Sequence, residues 1–580
     1  MDNSRNMILA IALSALVLIG WSFIAEQVAP PPPEPAPETA AEADVVLPEA
    51  EMPAAESVEA TRTVADVLDG NDAARIAIET PRLEGTVNLR GARIDDLVLL
   101  DYREEIDADS PPIRLLAPDD TDETYFAHFG WAGEGIEMPD GDTVWQADGE
   151  RLTPDNPVTL SWRNGTGQLF EIELQVDADF LFTIAQRVSN TGSAPISTRP
   201  YALLMHRGEM RSGAVPDPDT WLIHTGPAGF WDDVLHRDLD FSDLDEAGSA
   251  GERFSLQNGW LGFNGKYWLG ALAPAGDRTV DAAFMALPDD RYQAVFTGQP
   301  TVIQGGRALT TETYFFAGAK ETHLLERYEV EAGINQLDRA IDWGWFYWFE
   351  LPLFYLLSWL FTTVGNFGVA IILMTFIVRG LMFPIAQKQF SSMAGMRAVQ
   401  PKMKEIQERY KDDKPKMQQE VLALYQREKV NPLAGCLPIF LQIPIFYALY
   451  KVLMLSVEMR HEPFMLWLQD LSAPDPLTPV NLFGLLAFTP PTWFAIGILP
   501  ILLGITMWLQ FKLNPAPMDP TQQKIFSIMP WVFMVIMAPF AAGLQLYWVT
   551  SNILTIAQQK WLYSRDPRLK EQAKMVKDET

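Results

Sequence analysis

The 580-residue chain holds one cysteine, Cys436, inside an apolar stretch. No internal disulfide is possible, and no zinc-finger spacing can be assembled. No cysteine stands near the N-terminus to carry a lipid anchor. Histidine is scarce too. Four of the six (His128, His206, His224 and His236) are scattered through a strand-rich region with no metal-ligand spacing. Neither His-Glu-x-x-His nor Gly-x-Ser-x-Gly occurs. Residues 259–267 are glycine-rich, yet they lack Walker spacing and a hydroxyl after Lys266. We therefore expect no enzyme activity, cofactor or metal.

Positive charge is also unevenly spread. Residues 26–342 contain 22 Lys and Arg against 58 Asp and Glu, whereas the remainder has 22 against 17. An acidic block of that size argues against nucleic acid as a partner. What the chain does have is long apolar runs. Residues 7–25 form the first, preceded by Arg5 and lacking a small-x-small cleavage site, so a retained anchor over residues 1–28 is expected. Residues 29–70 are rich in Pro, Glu and Ala, the composition of a disordered tether.

From 71 to 320 the pattern becomes short period-two segments broken by turns. Val158, Leu160 and Trp162 alternate with polar residues, Asn164-Gly165 turns, and Phe170, Ile172, Leu174 and Val176 resume. A large antiparallel β-sandwich is the expected fold. Residues 321–365 read as a connecting helix followed by an aromatic segment, with six aromatics between 341 and 350, suited to a membrane–water boundary.

Five further apolar runs follow at 366–384, 433–457, 493–511, 525–542 and 544–562, giving six expected transmembrane helices with the anchor. Residues 385–431 lie between the first two and hold ten basic residues at 387–431. Short basic loops stay in the cytoplasm, which puts both termini inside and residues 26–342 outside. Residues 458–492 then form an outer loop, 512–524 an inner loop and 563–580 a short inner tail. Phe390, Met393, Met396, Val399, Met403, Ile406 and Tyr410 recur at helical spacing, and Met417, Val421 and Leu424 mark a second face after a break at Asp412–Pro415. A helical hairpin with a methionine-rich seam is expected, the seam either packing the two helices together or receiving apolar partners.

Arg379 sits within the 366–384 run. An arginine near a bilayer centre costs ~2.5–3.5 kcal/mol on insertion scales and normally faces a wet cavity; snorkelling to the headgroups is the alternative. Thr375 is one turn away on the same face. Gln442 stands between Pro438 and Pro444, and Gln545, Trp548, Asn552, Thr555 and Gln559 make a polar stripe on the last run. These spans contain no acidic residue to neutralise Arg379. Polar groups on three helices favour a shared hydrated cavity over isolated interhelical contacts.

Six motifs in order carry a family resemblance: FIVRGLMFP at 376–384, MRAVQPK at 396–402, EKVNPLAGCLP at 428–438, QIPIF at 442–446, DPTQQK at 519–524 and LYWVTSN at 546–552. In them the chain resembles the Oxa/YidC family of membrane protein insertases in its Gram-negative bacterial form. The resemblance implies a periplasmic β-supersandwich and a helical core in the inner membrane around a hydrophilic groove. It places Arg379 in that groove, with Thr375, Gln442, Gln545, Tyr547, Trp548, Asn552 and Thr555 near it. It implies that the hairpin, through Met393, Met396, Lys402, Met403 and Tyr410, meets clients, ribosome or targeting factors. Implied partners are nascent membrane proteins, the Sec translocon, the ribosome with signal-recognition machinery, and lipids. The short, mildly basic tail suits only a weak ribosome contact. A transporter or a membrane-tethered carbohydrate-active protein is the alternative reading.

Overall fold

A computed structural model of the chain describes residues 62–70, 74–107, 109–119, 121–211, 223–344, 346–411, 413–428, 437–483, 486, 495–513 and 520–565. The expected anchor, most of the tether, Cys436 and most of the 563–580 tail lie outside these.

Alternation of apolar and polar residues becomes alternation of buried and solvent-facing side chains. Gln168–Val176 buries every second residue, and it pairs antiparallel with Leu181–Asn190 and with Val158–Arg163. Asn164 closes the turn between the last pair: its Oδ1 accepts the backbone N–H groups of Thr166 and Gln168. Leu181–Asn190 pairs on its other side with Arg307–Ala319, a partner more than a hundred residues away. The strands form two sheets of eleven and nine strands. Their inner faces share one core, where Phe129 of one sheet meets Phe315 of the other at 6.2 Å and Trp131 meets Phe170 at 5.2 Å. Burial of each such ring contributes roughly 1.5–3 kcal/mol. Polar bridges join the two sheets: the buried Gln186 Nε2 donates to Gly130 O at 2.7 Å, and Asn190 Nδ2 donates to Ile303 O at 3.0 Å. The expected β-sandwich is present.

Residues 62–70, expected within the tether, instead contain a short helix, α1 (Val64–Leu68), capped by the Thr63 hydroxyl. Helix α2 (Phe241–Ala247) lies in the β unit and opens on an Asp240–Asp243 capping box. Helix α3 (Thr322–Glu331) leads out of it, held back by Arg82 pairing with Glu321 and by Tyr328 donating to Asp177. The aromatic segment runs into α4 (Tyr347–Val364), which ends where Gly365 takes the left-handed conformation at φ +68°.

Asp342, just before α4, fastens the β unit to the helices. Its carboxylate accepts from Arg237 of the β unit and from Lys451 Nζ at 3.0 Å, and its backbone carbonyl accepts a second Lys451 bond at 2.9 Å. Lys451 is almost fully buried, so this pairing is what makes its placement tolerable.

The remaining helices are α5 (Phe367–Leu381), α6 (Phe383–Arg409), α7 (Lys414–Arg427), α8 (Leu437–Leu455), α9 (Ile498–Leu513), α10 (Pro520–Met537) and α11 (Ala542–Arg565). The six-helix transmembrane core expected from the sequence is not shown at bilayer length. Among the described residues no single helix is long and apolar enough to cross a membrane, and one bent pair, α5 with residues 383–390, passes on length and composition together. For the 366–384 run the reason is local. Pro384 cannot donate to the preceding turn, so the 366–384 run breaks at Met382 with a 61° bend, leaving α5 about 22 Å long against a hydrocarbon core of about 30 Å. In α11 the polar side chains lower the mean hydropathy. The faces turned away from the bundle are nonetheless apolar: Phe376, Leu381, Trp531, Val535, Ile536 and Ile553 are exposed.

The hairpin also differs in detail. Its break falls at 410–413, and Lys414 and Pro415 already belong to the first turn of α7, where Asp413 caps the Lys416 N–H and proline is at home.

Candidate functional site

Arg379 projects from the last turn of α5 towards α11. Its Nε donates to Ser551 Oγ at 3.0 Å, and a terminal guanidinium nitrogen donates to the same oxygen. Tyr547, Ser551 and Thr555 follow at intervals of four along α11, so they share one face. The Thr555 hydroxyl donates to Ser551 O at 2.7 Å.

The other sequence-derived candidates take two kinds of place. Thr375 is fully buried and its hydroxyl donates to Ile371 O at 2.7 Å on its own helix. Gln545 is buried at the α10–α11 turn, where its Nε2 donates to Met537 O at 2.9 Å and Phe540 O at 2.7 Å, satisfying carbonyls that the end of α10 leaves without intrahelical donors. Asn552 Nδ2 donates to Thr506 Oγ1 of α9 at 3.1 Å, and Gln559 Nε2 donates to Leu513 O at 3.3 Å. Three members of the polar stripe therefore fasten α11 to α9 and α10, while the neighbouring row faces Arg379. Trp548 is half-buried between Phe446 of α8 at 4.6 Å and Phe533 of α10 at 4.7 Å. The Gln442 side chain lies outside the described residues.

Ser551 was missed by the sequence reading. A serine beside a longer amide carries little weight in a hydropathy pattern. The available signal was the spacing of four through Tyr547, Ser551 and Thr555, a row that meets the stripe only at Thr555.

In the hairpin, Met403 is buried against Val421, Leu424 and Tyr425, with the Tyr425 hydroxyl donating to its sulfur at 3.3 Å. This part of the seam packs α6 on α7. Lys402 pairs with Glu428 at 2.7 Å across the hairpin, and Tyr410 ends α6 with Lys416 over its ring. The side chains of Met393 and Met396 lie outside the described residues. At the junction with the β unit, burial works to raise the Asp342 carboxyl, yet Arg237 and Lys451 outweigh it and hold the group below the usual carboxylate range. Among the described residues no cluster of His, Cys, Asp and Glu could hold a metal ion.

Comparison with known proteins decides the family. Residues 359–570 match the 60Kd inner membrane protein family, and residues 75–356 match the YidC periplasmic domain. The chain belongs to the YidC family. A relative named membrane protein insertase YidC, from Zymomonas mobilis, is 46% identical over 563 residues, covering 97% of this chain and 95% of its own length. The relative of the same name from Bradyrhizobium diazoefficiens is 41% identical, covering 98% and 97%. A solved YidC insertase with its first transmembrane domain resolved aligns at 18% identity and a TM-score of 0.35, covering 83% of this chain and 92% of that one. Residues 75–356, with the β unit, thus match the family's periplasmic domain, and residues 359–570 its inner-membrane part. The transporter and carbohydrate-active alternatives gain no support from these relatives.

Proposed function

We infer that this protein is a membrane protein insertase of the bacterial inner membrane that works without nucleotide or covalent chemistry. One observation carries the reading. A family match covers the β unit and the helices alike, and within it Arg379 stands on an apolar helix opposite the Tyr547–Ser551–Thr555 face. In this reading Arg379, with Thr375, Gln442, Tyr547, Trp548 and Thr555 around it, marks a polar groove for a short hydrophilic client segment. The segment's acidic groups are drawn to the guanidinium while the client's apolar helix partitions along the exposed apolar faces. Fewer residues then cross hydrocarbon unsolvated, which lowers the cost that slows spontaneous translocation. Gln545 and Asn552 hold the groove's walls together through their bonds to α10 and α9.

The topology we propose puts both termini and the hairpin in the cytoplasm, supported by the ten basic residues of 387–431. The hairpin then meets the ribosome, targeting factors or clients, and the protein acts alone or beside the Sec translocon, as a chaperone as well as an inserter. The test is reconstitution. Purified protein in liposomes should insert a small client with a short acidic tail in the absence of ATP. Equal insertion into protein-free liposomes of the same lipids contradicts the reading.

A further inference from the structure

The loop between α8 and α9 is inside out. In residues 461–511 there is no Lys or Arg, and the only acidic residues are Glu462, Asp470 and Asp475. Both aspartates are turned inward. Asp475 is buried: its Oδ1 accepts from Trp467 Nε1 at 2.9 Å and Leu477 N at 3.0 Å, and its Oδ2 accepts from Leu499 N at 2.7 Å, capping the start of α9. Asp470 accepts from the backbone N–H and the hydroxyl of Ser472. Apart from the exposed Gln469 amide, what the described part of this stretch shows outward is apolar: Met465, Leu466, Val480, Leu482, Phe483 and Leu486 are all exposed, Leu466 at 80%. Leu466, Leu482 and Phe483 adopt positive φ angles of 57°, 51° and 58°, a conformation that branched and bulky side chains adopt rarely.

The loop is also fixed at a definite level of the molecule. Asn366, the N-cap of α5, donates to Phe464 O at 2.8 Å, and Phe464 packs so tightly on Gly368 that a Cβ there would meet its ring at 2.1 Å. Ala542 N and Gly543 N, at the start of α11, donate to Ala473 O at 2.7 Å and Leu471 O at 2.9 Å. The loop therefore crosses the bundle where α5, α9 and α11 begin, next to helices whose own outward side chains (Leu373, Leu502, Ile505) are apolar.

We propose that residues 463–483 together with Leu486 form a lipid-contacting surface whose two apolar tips, one at Met465 and Leu466 and the other at Val480, Leu482, Phe483 and Leu486, rest in the outer leaflet of the bilayer. Water rewards charged groups outside and apolar groups inside; this loop has the reverse arrangement, which only an apolar solvent favours. Its place at the helix ends, in line with lipid-facing side chains, selects acyl chains as that solvent. A client or a second copy would cover it only intermittently, leaving six large apolar side chains in water at other times. The inference rests on the helices spanning the membrane as proposed above.

The test uses the full chain with Cys436→Ser, reconstituted in vesicles and carrying one bimane-labelled cysteine at a time. Leu466→Cys and Phe483→Cys report the loop, Ile505→Cys on α9 reports a span, and Val330→Cys on α3, 84% exposed, reports water. A nitroxide near the head of the acyl chain should quench the two loop labels at least threefold more than it quenches Val330→Cys, and iodide should show the opposite order. Iodide quenching of both loop labels equal to that at Val330→Cys, with Ile505→Cys still quenched by lipid, overturns the proposal and leaves the spans intact. Failure of Ile505→Cys as well overturns the spanning arrangement on which the proposal rests. Shielding of the loop labels that appears only at high protein-to-lipid ratio overturns it in favour of a second copy.

Discussion

Arg379 and Ser551, 172 residues apart in the chain, share a hydrogen-bonded contact in which one hydroxyl oxygen receives two donors of the guanidinium. Ser551 therefore sets where the charge points. Ser551→Ala removes a bond to a charged group, worth about 1.5–3 kcal/mol, from the side of α11 that faces the arginine. Insertion of acidic-tailed clients should fall several-fold with a much smaller change for neutral-tailed clients, and Ser551→Thr should restore most of it. An equal loss for both client types, accompanied by earlier thermal unfolding, would assign Ser551 to packing alone.

Asp342 joins Arg237 to Lys451, and loss of one partner leaves the buried lysine without its counter-charge. Asp342→Asn should cost about 3–5 kcal/mol at the junction between the β unit and the helices. Hydrogen exchange should accelerate at 224–237 and 447–451 together, and change little in the distant strands around 158–176. Unchanged exchange at both places would show that the junction is held by other contacts.

Glu458, just beyond α8, is pushed up to about 7 by burial, and its Oε1 accepts from Thr322 N at the head of α3. The folded state keeps this proton to a higher pH than the unfolded chain, whose carboxyl titrates near 4.5. Stability from this group is therefore full below about 4.5, declines as pH rises, and levels off above 7. Thermal unfolding of the wild type between pH 5 and 8 should show that decline, and Glu458→Gln should flatten it. A Gln variant with the same slope would remove Glu458 from the account.

In the hairpin, apolar packing outweighs the ion pair. Leu424→Ala should destabilise the α6–α7 contact by about 2–5 kcal/mol, whereas Lys402→Ala, which removes an exposed pair, should cost no more than about 1 kcal/mol. Exchange rates across 399–425 should rise strongly in the first variant and barely in the second.

The strand region was legible because period-two burial is a local property: Phe170, Ile172, Leu174 and Val176 point inward as their spacing says. The pairing of Leu181–Asn190 with Arg307–Ala319 was not, since nothing local records a partner so distant in the chain. Arg379 stood out because its type conflicts with its neighbourhood. The polar stripe of α11 has the spacing of one surface, yet a helix at 100° per residue can show adjacent rows to different neighbours. Gln545 and Asn552 meet α10 and α9, while Ser551, one position away, meets Arg379. Likewise the run 366–384 has the composition of a span, but the backbone at Pro384 decides where the helix bends.

Whether the charge of Arg379 acts on acidic client segments can be decided by comparing clients across a charge series at that one position. Wild type, Arg379→Lys, Arg379→Ala and Arg379→Glu should be reconstituted in identical liposomes and offered one client with either an acidic or a neutral translocated tail. The Lys variant should retain much of the acidic-tail insertion, Ala should lose it, and Glu should be worse still because like charges repel where water is scarce, while the neutral tail varies little. Equal insertion of the acidic-tailed client by the wild-type, Ala and Glu proteins would contradict a role for that charge.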